Sequence, residues 1–304
     1  MPPHPVLLDC DPGHDDAIAI LLAAGRRDAV DLRAVTTVGG NADLEKVTYN
    51  ARRVMTLAGL RDVPVAAGAA GPLRGDALVT ALDVHGESGL DGAPMPEPAM
   101  ELDPRGAVEL MAARGPATVV ATGPLTNVAL LLERAPEAMR DIVWMGGSTG
   151  RGNTRPYAEF NAFVDPEAAA AVFASGVPLT MVGLNLTHQA LATPQVVDRL
   201  AAIGNEAART AVGWLGFFAD TYRELYGLPG PPVHDPCALA AVIEPELLRS
   251  VDAYVAIETE GRHTRGATVV DLHGRLGEPP NARVALELDV VGFWDLVIGA
   301  IGRL

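Results

Sequence analysis

The chain has 304 residues, 49% of them hydrophobic, and a formal net charge of −15. That length suits one large α/β domain or two ordinary ones. The acidic balance argues against a nucleic-acid partner, which needs a basic footprint, and two cysteines, Cys10 and Cys237, are too few for a disulfide framework or a cysteine-based zinc site.

No uncharged apolar stretch reaches the roughly 18 residues of a membrane span. Met1-Pro2-Pro3-His4-Pro5 lacks the basic start of a secretory signal. The expectation is a cytoplasmic protein with no membrane partner. In chain order the pattern predicts a strand at 6–8, a helix over 15–24, a strand at 32–38 and a helix over 44–57. A Gly/Pro-rich segment, 68–98, is long for a structureless connection and is a candidate active-site loop. Then come a strand at 119–121, a helix over 125–134, a strand at 142–145, a helix over 166–174 and a strand at 179–182. Three further strands, 251–257, 267–270 and 284–288, are expected to extend the sheet with antiparallel edges. Short apolar strands alternating with helices specify an α/β fold: a doubly wound, mainly parallel but mixed sheet with helices on both faces. No linker or repeat divides the chain, so one domain over 1–304 is expected.

Asp9, Asp11, Asp15 and Asp16 crowd the junction between the first strand and the first helix, where parallel α/β sheets bind ligands. Pro12 and Gly13 shape the turn. Either these acids form a solvated helix cap, or something neutralises them, because like charges this close repel. A hard cation is the stronger answer. All candidate donors are oxygens, and Ca²⁺, which accepts many oxygens and bidentate carboxylates, ranks above Mg²⁺. Gly39-Gly40 and Gly146-Gly147 lack a following Lys-Ser/Thr or a G-x-G-x-x-G spacing, which disfavours a phosphate cradle and hence phosphorolysis.

The segment Leu8-Asp9-Cys10-Asp11-Pro12-Gly13-His14-Asp15-Asp16-Ala17 resembles the amino-terminal signature of the inosine-uridine-preferring nucleoside hydrolase family. Further blocks match in order: Thr36-Thr37-Val38-Gly39-Gly40-Asn41, Val84-His85-Gly86-Glu87-Ser88-Gly89-Leu90, Thr122-Gly123-Pro124-Leu125-Thr126-Asn127, Met145-Gly146-Gly147, Gly152-Asn153, Ala158-Glu159-Phe160-Asn161, Asp165-Pro166-Glu167-Ala168-Ala169 and His234-Asp235-Pro236. The resemblance implies hydrolysis of ribonucleosides to ribose and free base, with Ca²⁺ as cofactor and a homodimer or homotetramer as the assembly. By position it implies Asp11, Asp16 and Asp235 as metal carboxylates and the backbone carbonyl of Thr126 as a further ligand, with Leu125 as its alternative. Asp15, Asn41, Met145, Asn153, Glu159 and Asn161 match ribose contacts, with Phe160 among the substrate-binding residues. His234 matches the acid that protonates the leaving base, His85 lies near that base, and Tyr226 is the favoured aromatic contact.

Residue chemistry fits. Asp11 is placed to take a proton from a metal-acidified water, surrounding carboxylates favour an oxocarbenium-like transition state, and a histidine can be acid or base near neutral pH. Competing structural duties exist. Asn41 could cap the helix after Gly40, Asp235 could cap the helix at Pro236, and Tyr222 and Tyr226, spaced i, i+4, face either a base or the core. His14 is read as lining or structural, and Asp9 as support for the other acids. The leading expectation is a ribonucleoside hydrolase using both purine and pyrimidine substrates. The alternatives are a pyrimidine-preferring enzyme, a hydrolase of another N-ribosyl compound such as nicotinamide riboside, or a non-catalytic nucleoside- or calcium-binding homologue.

Overall fold

A computed structural model describes residues 2–75, 77–226 and 230–304, with side chains throughout these except at 225 and 226. Among the described residues nine strands form one sheet: β1 (His4–Cys10), β2 (Val30–Thr37), β3 (Val65–Ala67), β4 (Ala117–Ala121), β5 (Met139–Met145), β6 (Leu179–Val182), β7 (Leu248–Ile257), β8 (Thr268–Asp271) and β9 (Ala282–Leu288). Their order is β3-β2-β1-β4-β5-β6-β9-β7-β8. β1 to β6 pair in parallel. The expected antiparallel extension is realised by β7 and β8, whereas β9 lies parallel to β6 and separates it from β7.

The strands are apolar on both faces because helices cover both. In β1, Val6, Leu8 and Cys10 point to one core, shared with the helices His14–Gly25, Asp235–Ile243 and Val290–Ile301. Leu7 points to the other, shared with Ala107–Arg114, Thr126–Arg134 and Pro166–Phe173. Successive side chains of a strand alternate sides, so this split follows from the pleat. Several elements were not anticipated, among them the helices Ala107–Arg114 and Pro194–Ala201. β3 is too short to stand out, Leu82–His85 is a single turn within 68–98, and Val290–Ile301 is apolar nearly all round, which hides helical periodicity. Among the described residues no helix is long and apolar enough to cross a membrane.

The chain leaves β1 towards β2 and β3, then returns past β1 to place β4 on its other side. The carboxyl ends of β1 and β4 therefore flank the point where strand order reverses, and ligands bind in the crevice outside such a point. Helix His14–Gly25 carries the acids at its start, and its far end packs against Val290–Ile301 so closely that a methyl on Gly25 would overlap the backbone of Ala300. Gly25→Ala is expected to cost about 1–3 kcal/mol through this overpacking. Denaturant unfolding would register it as a lower midpoint at unchanged m-value.

Candidate active site

β1 ends at Cys10, the chain turns through Asp11-Pro12-Gly13, and the helix begins at His14. Asp15 and Asp16 lie in its first turn, where Asp16 Oδ2 accepts the amide of Gly13 at 3.0 Å. Asp11, Asp15 and Asp16 are buried, which rules out a solvated cap. A fourth acid, Asp235, comes from the start of helix Asp235–Ile243. Its expected capping duty is absent: His234 occupies the cap position, and no side chain makes a cap bond there. One carboxylate oxygen each from Asp15, Asp16 and Asp235 lies within 4.8 Å of the others. Asp11 lies outside this tightest group, but its Oδ1 is buried without a hydrogen-bond partner.

The turn after β2 holds these acids in place. Asp11 Oδ2 accepts the amide of Asn41 at 2.7 Å, while Asn41 Nδ2 donates to the carbonyl of Asp11 at 3.0 Å and to Asp16 Oδ2 at 3.3 Å. Asn41 does not cap the helix Leu44–Leu57, since Asp43 does so by accepting from Lys46 at 2.9 Å. Asp9 accepts Thr36 Oγ1 at 2.6 Å and Asn127 Nδ2 at 2.8 Å, bracing β1 from behind the acidic group.

β4 contributes Thr122. Its hydroxyl donates to Asp16 Oδ1 at 2.7 Å, and its carbonyl accepts Asn161 Nδ2 at 2.8 Å. Thr126 sits elsewhere. Its hydroxyl donates to Asp165 Oδ2 at 2.7 Å, and it is not among the residues lining the pocket. Leu125 does not line it either, and its carbonyl accepts the helical bond from Ala129 at 2.8 Å. The threonine beside the acids is thus Thr122, directly after the strand, rather than Thr126 at the first position of the helix. Its position directly after the strand is the sequence signal that would have found it.

Asn161 Nδ2 also donates to the carbonyl of Met145, at the end of β5, at 3.0 Å. Glu159 caps helix Phe160–Val164, accepting the amides of Asn161 at 2.9 Å and Ala162 at 3.1 Å, and a third from Gly147 at 2.8 Å. Asn153 Oδ1 takes the amide of Phe160 at 2.9 Å. Asp15, Asn41, His85, Met145, Asn153, Glu159, Phe160, Asn161, His234 and Asp235 all line one pocket of about 80 Å³. The sequence reading missed Thr122 and Phe218 as lining residues and left Tyr222 even between base and core; all three line it. The side chain of Tyr226 lies outside the described residues.

The histidines are wired differently. His234 donates its amide to Asp15 Oδ2 at 3.3 Å, and its ring has Thr187 Oγ1 2.7 Å from Nδ1 and the Tyr222 hydroxyl 3.4 Å from Nε2. His85 has its Nδ1 2.9 Å from Nδ1 of His14 and stacks on Phe218, ring centroids 5.4 Å apart. Gly13 makes room for this, since a side chain there would overlap the His85 ring.

Burial dominates the site's electrostatics. It pushes the carboxyls of Asp9, Asp15 and Glu159 up to about 7. Asp11, Asp16 and Asp235 are also raised by burial, and neighbouring carboxylates add to this at Asp11 and Asp235. Burial lowers His14 to about 4 and His234 to about 3, and holds His85 well below its ordinary value, so all three rings are neutral near pH 7. The donor set, all oxygen, buried and with one carboxylate oxygen left partnerless, is one that a divalent cation fits.

A larger cavity, about 670 Å³, opens around His4, Thr118, Asp141 and Arg283, away from the carboxyl ends of the strands. It gathers none of these acids, so chemistry rather than volume locates the site.

The model of the inosine-uridine preferring nucleoside hydrolase family matches residues 6–295. The chain is 49% identical over 302 residues to the pyrimidine-specific ribonucleoside hydrolase RihA of Shewanella woodyi, covering 96% of each chain. To RihA of Photobacterium profundum it is 48% identical, covering 96% of this chain and 97% of the relative. Among solved structures, the purine-preferring ribonucleoside hydrolase from Gardnerella vaginalis superposes with a TM-score of 0.91 at 29% identity, covering 98% of both chains.

A buried acid whose folded-state pKa is raised contributes stability below its unfolded value, near 3.8 for Asp15, and loses it as pH climbs through about 7. In chelator-treated protein this contribution therefore falls as pH rises through that window, and a bound divalent ion offsets the loss. At about 100 times its dissociation constant the ion adds about 2.7 kcal/mol, or several degrees of thermal midpoint. Differential scanning calorimetry should show a larger calcium-induced rise at about pH 7.5 than at about pH 5.5; an equal or smaller rise would contradict the electrostatics described.

Proposed function

The chain belongs to the inosine-uridine preferring nucleoside hydrolase family and is an enzyme that hydrolyses the N-glycosidic bonds of ribonucleosides, and we propose that it prefers pyrimidine ribonucleosides, with residues 1–304 working as one domain. This preference is narrower than the purine-and-pyrimidine range expected from the sequence. It is supported by relatives at 47–49% identity that are named pyrimidine-specific. The observation that carries the catalytic reading is a single pocket lined by Asp15, Asp235 and His234, with Asp16 grouped beside the two acids.

Asp11, Asp16 and Asp235 are the carboxylates that would hold a divalent ion, with the carbonyl of Thr122 in the part first expected of Thr126. Asp11 is included for its buried, partnerless Oδ1. Asp15, although drawn into the tightest group, already accepts the amide of His234 and turns to the ribose. When bound, an ion of the Ca²⁺ type would take oxygen ligands and would ease the deprotonation of water. Asp11 is the group that takes the proton of the attacking water. Asp15, Asn41 and Asn161 fix the ribose hydroxyls, and Asn153 and Glu159 line the same sugar pocket, so that orientation is set before the bond breaks. The transition state resembles a ribosyl cation, which the surrounding carboxylates favour. His234, neutral and bracketed by Thr187 and Tyr222, donates an N–H hydrogen bond to the departing base and so stabilises the negative charge that develops there.

A panel of uridine, cytidine, inosine and guanosine, assayed for ribose release with and without chelator, tests substrate and cofactor together. We expect kcat/KM at least about tenfold higher for the pyrimidines and loss of turnover with chelator. Faster purine turnover would overturn the preference, and no turnover by calcium-loaded protein would overturn the whole reading. Asp11→Ala should lower kcat by about 10²–10⁴-fold at unchanged circular dichroism; near-native kcat removes the base role. His234→Ala should cost more on uridine than on 4-nitrophenyl riboside, whose leaving group departs as a stable anion unaided, and equal losses exclude it as the donor to the base.

A further inference from the structure

His14 takes no part in the roles above, yet it is buried and both its ring nitrogens are engaged. Its Nε2 lies 2.8 Å from the carbonyl oxygen of Asp91. A carbonyl only accepts, so Nε2 carries a proton. That carbonyl is held by its own turn, where the Asp91 carboxylate accepts the amide of Glu87 at 2.9 Å and the Ser88 hydroxyl at 2.5 Å. At the other end of the ring, Nδ1 of His14 is 2.9 Å from Nδ1 of His85. Two nitrogens at that separation share one proton. A neutral His14 has placed its only proton on Nε2, so the shared one belongs to His85.

Neutral imidazole carries one N–H. With it committed to His14, Nε2 of His85 is left as a bare acceptor. That atom has no hydrogen-bond partner among the described residues and is not among the polar atoms sealed off without one, while the ring lines the pocket. The backbone amide of His14 also approaches His85 Nδ1, at 3.4 Å, which would need the opposite polarity. That arrangement sets two lone pairs against each other at 2.9 Å, unless His14 holds a second proton. A cation there would be buried between Phe217 and Phe218 with no carboxylate bonded to its ring, the costlier choice.

We propose that His14 is a positioning residue: bonded to Asp91, it fixes His85 as a hydrogen-bond acceptor facing the nucleobase. The inference rests on the ribonucleoside reading and adds a rule of base recognition to it. A base that offers an N–H to the pocket, as uracil does at N3 and cytosine at its exocyclic amine, satisfies His85. His85 cannot then donate a hydrogen bond to the leaving group, so that duty falls to His234 alone.

The direct test is long-range ¹H–¹⁵N NMR of calcium-loaded, ¹⁵N-histidine-labelled protein, with signals assigned through His14→Gln and His85→Gln. His85 is expected as the Nδ1–H tautomer and His14 as Nε2–H; an Nε2–H tautomer for His85 overturns the proposal. In steady-state kinetics, His14→Leu should raise KM for uridine about tenfold, or about 1.4 kcal/mol, with a smaller change in kcat. In His14→Gln the amide oxygen can still accept and the amide nitrogen still donate, so this variant should recover most of the KM. Equal KM values for the two variants would refute the positioning role. If His14→Leu does not fold, the wild-type tautomer decides alone. Should His85 prove Nδ1–H in a protein that hydrolyses no ribonucleoside, the functional reading fails while the relay stands.

Discussion

Carboxylates that share a buried space repel one another, and much of the local structure around β1 and β4 answers to that constraint. Asp11, Asp15, Asp16 and Asp235 are brought together by two helices that both begin at the site, so amide groups and the positive ends of two helix dipoles face the acids. These partial charges do not neutralise the group, as the raised carboxyls show. Space is reserved for it as well. A side chain on Gly40 or Gly123 would overlap the carboxylate of Asp11. Glycine at these two positions keeps Asp11 where its free oxygen can meet a cation or a water.

The sheet makes the convergence possible. Strand order reverses between β1 and β4, so the turns after these strands diverge and leave a crevice that Thr122, Asn41 and Asn161 bridge through hydrogen bonds. The helix bearing Asp235 packs against the helix bearing Asp15 and Asp16 in the same core, so distant residues meet without a long loop. The segment 68–98 contributes His85 and Asp91 from the other side. Its glycine- and proline-rich composition fits a connection that must bend to carry one short helical turn into the pocket.

The fold was legible because its strands are short apolar runs separated by helical spacing, and the first six align in parallel as that pattern dictates. The placement of β9 was not, since strand pairing across β7 and β8 depends on long-range contacts that no local pattern encodes. In the site, local motifs revealed the acids and the Asn and His residues. They did not reveal which duties were already filled. Asp43 releases Asn41 from capping, and the bond to Asp165 draws Thr126 away. Tyr222 and Phe218 could be placed only once the helix Glu206–Tyr226 was docked, because helical spacing alone does not say which face meets a pocket. His14 could be read only as lining or structural for the same reason: its partners, Asp91 and His85, are more than seventy residues away.

The central claim is that buried, partly protonated carboxylates form a cation site that becomes fully charged only with its ion. Calorimetric titration of calcium into chelator-stripped protein at about pH 6.5, in two buffers of different ionisation heat, measures the protons released on binding. The account predicts release of about one proton or more per ion. Binding with no proton release, or no binding at all, would contradict it.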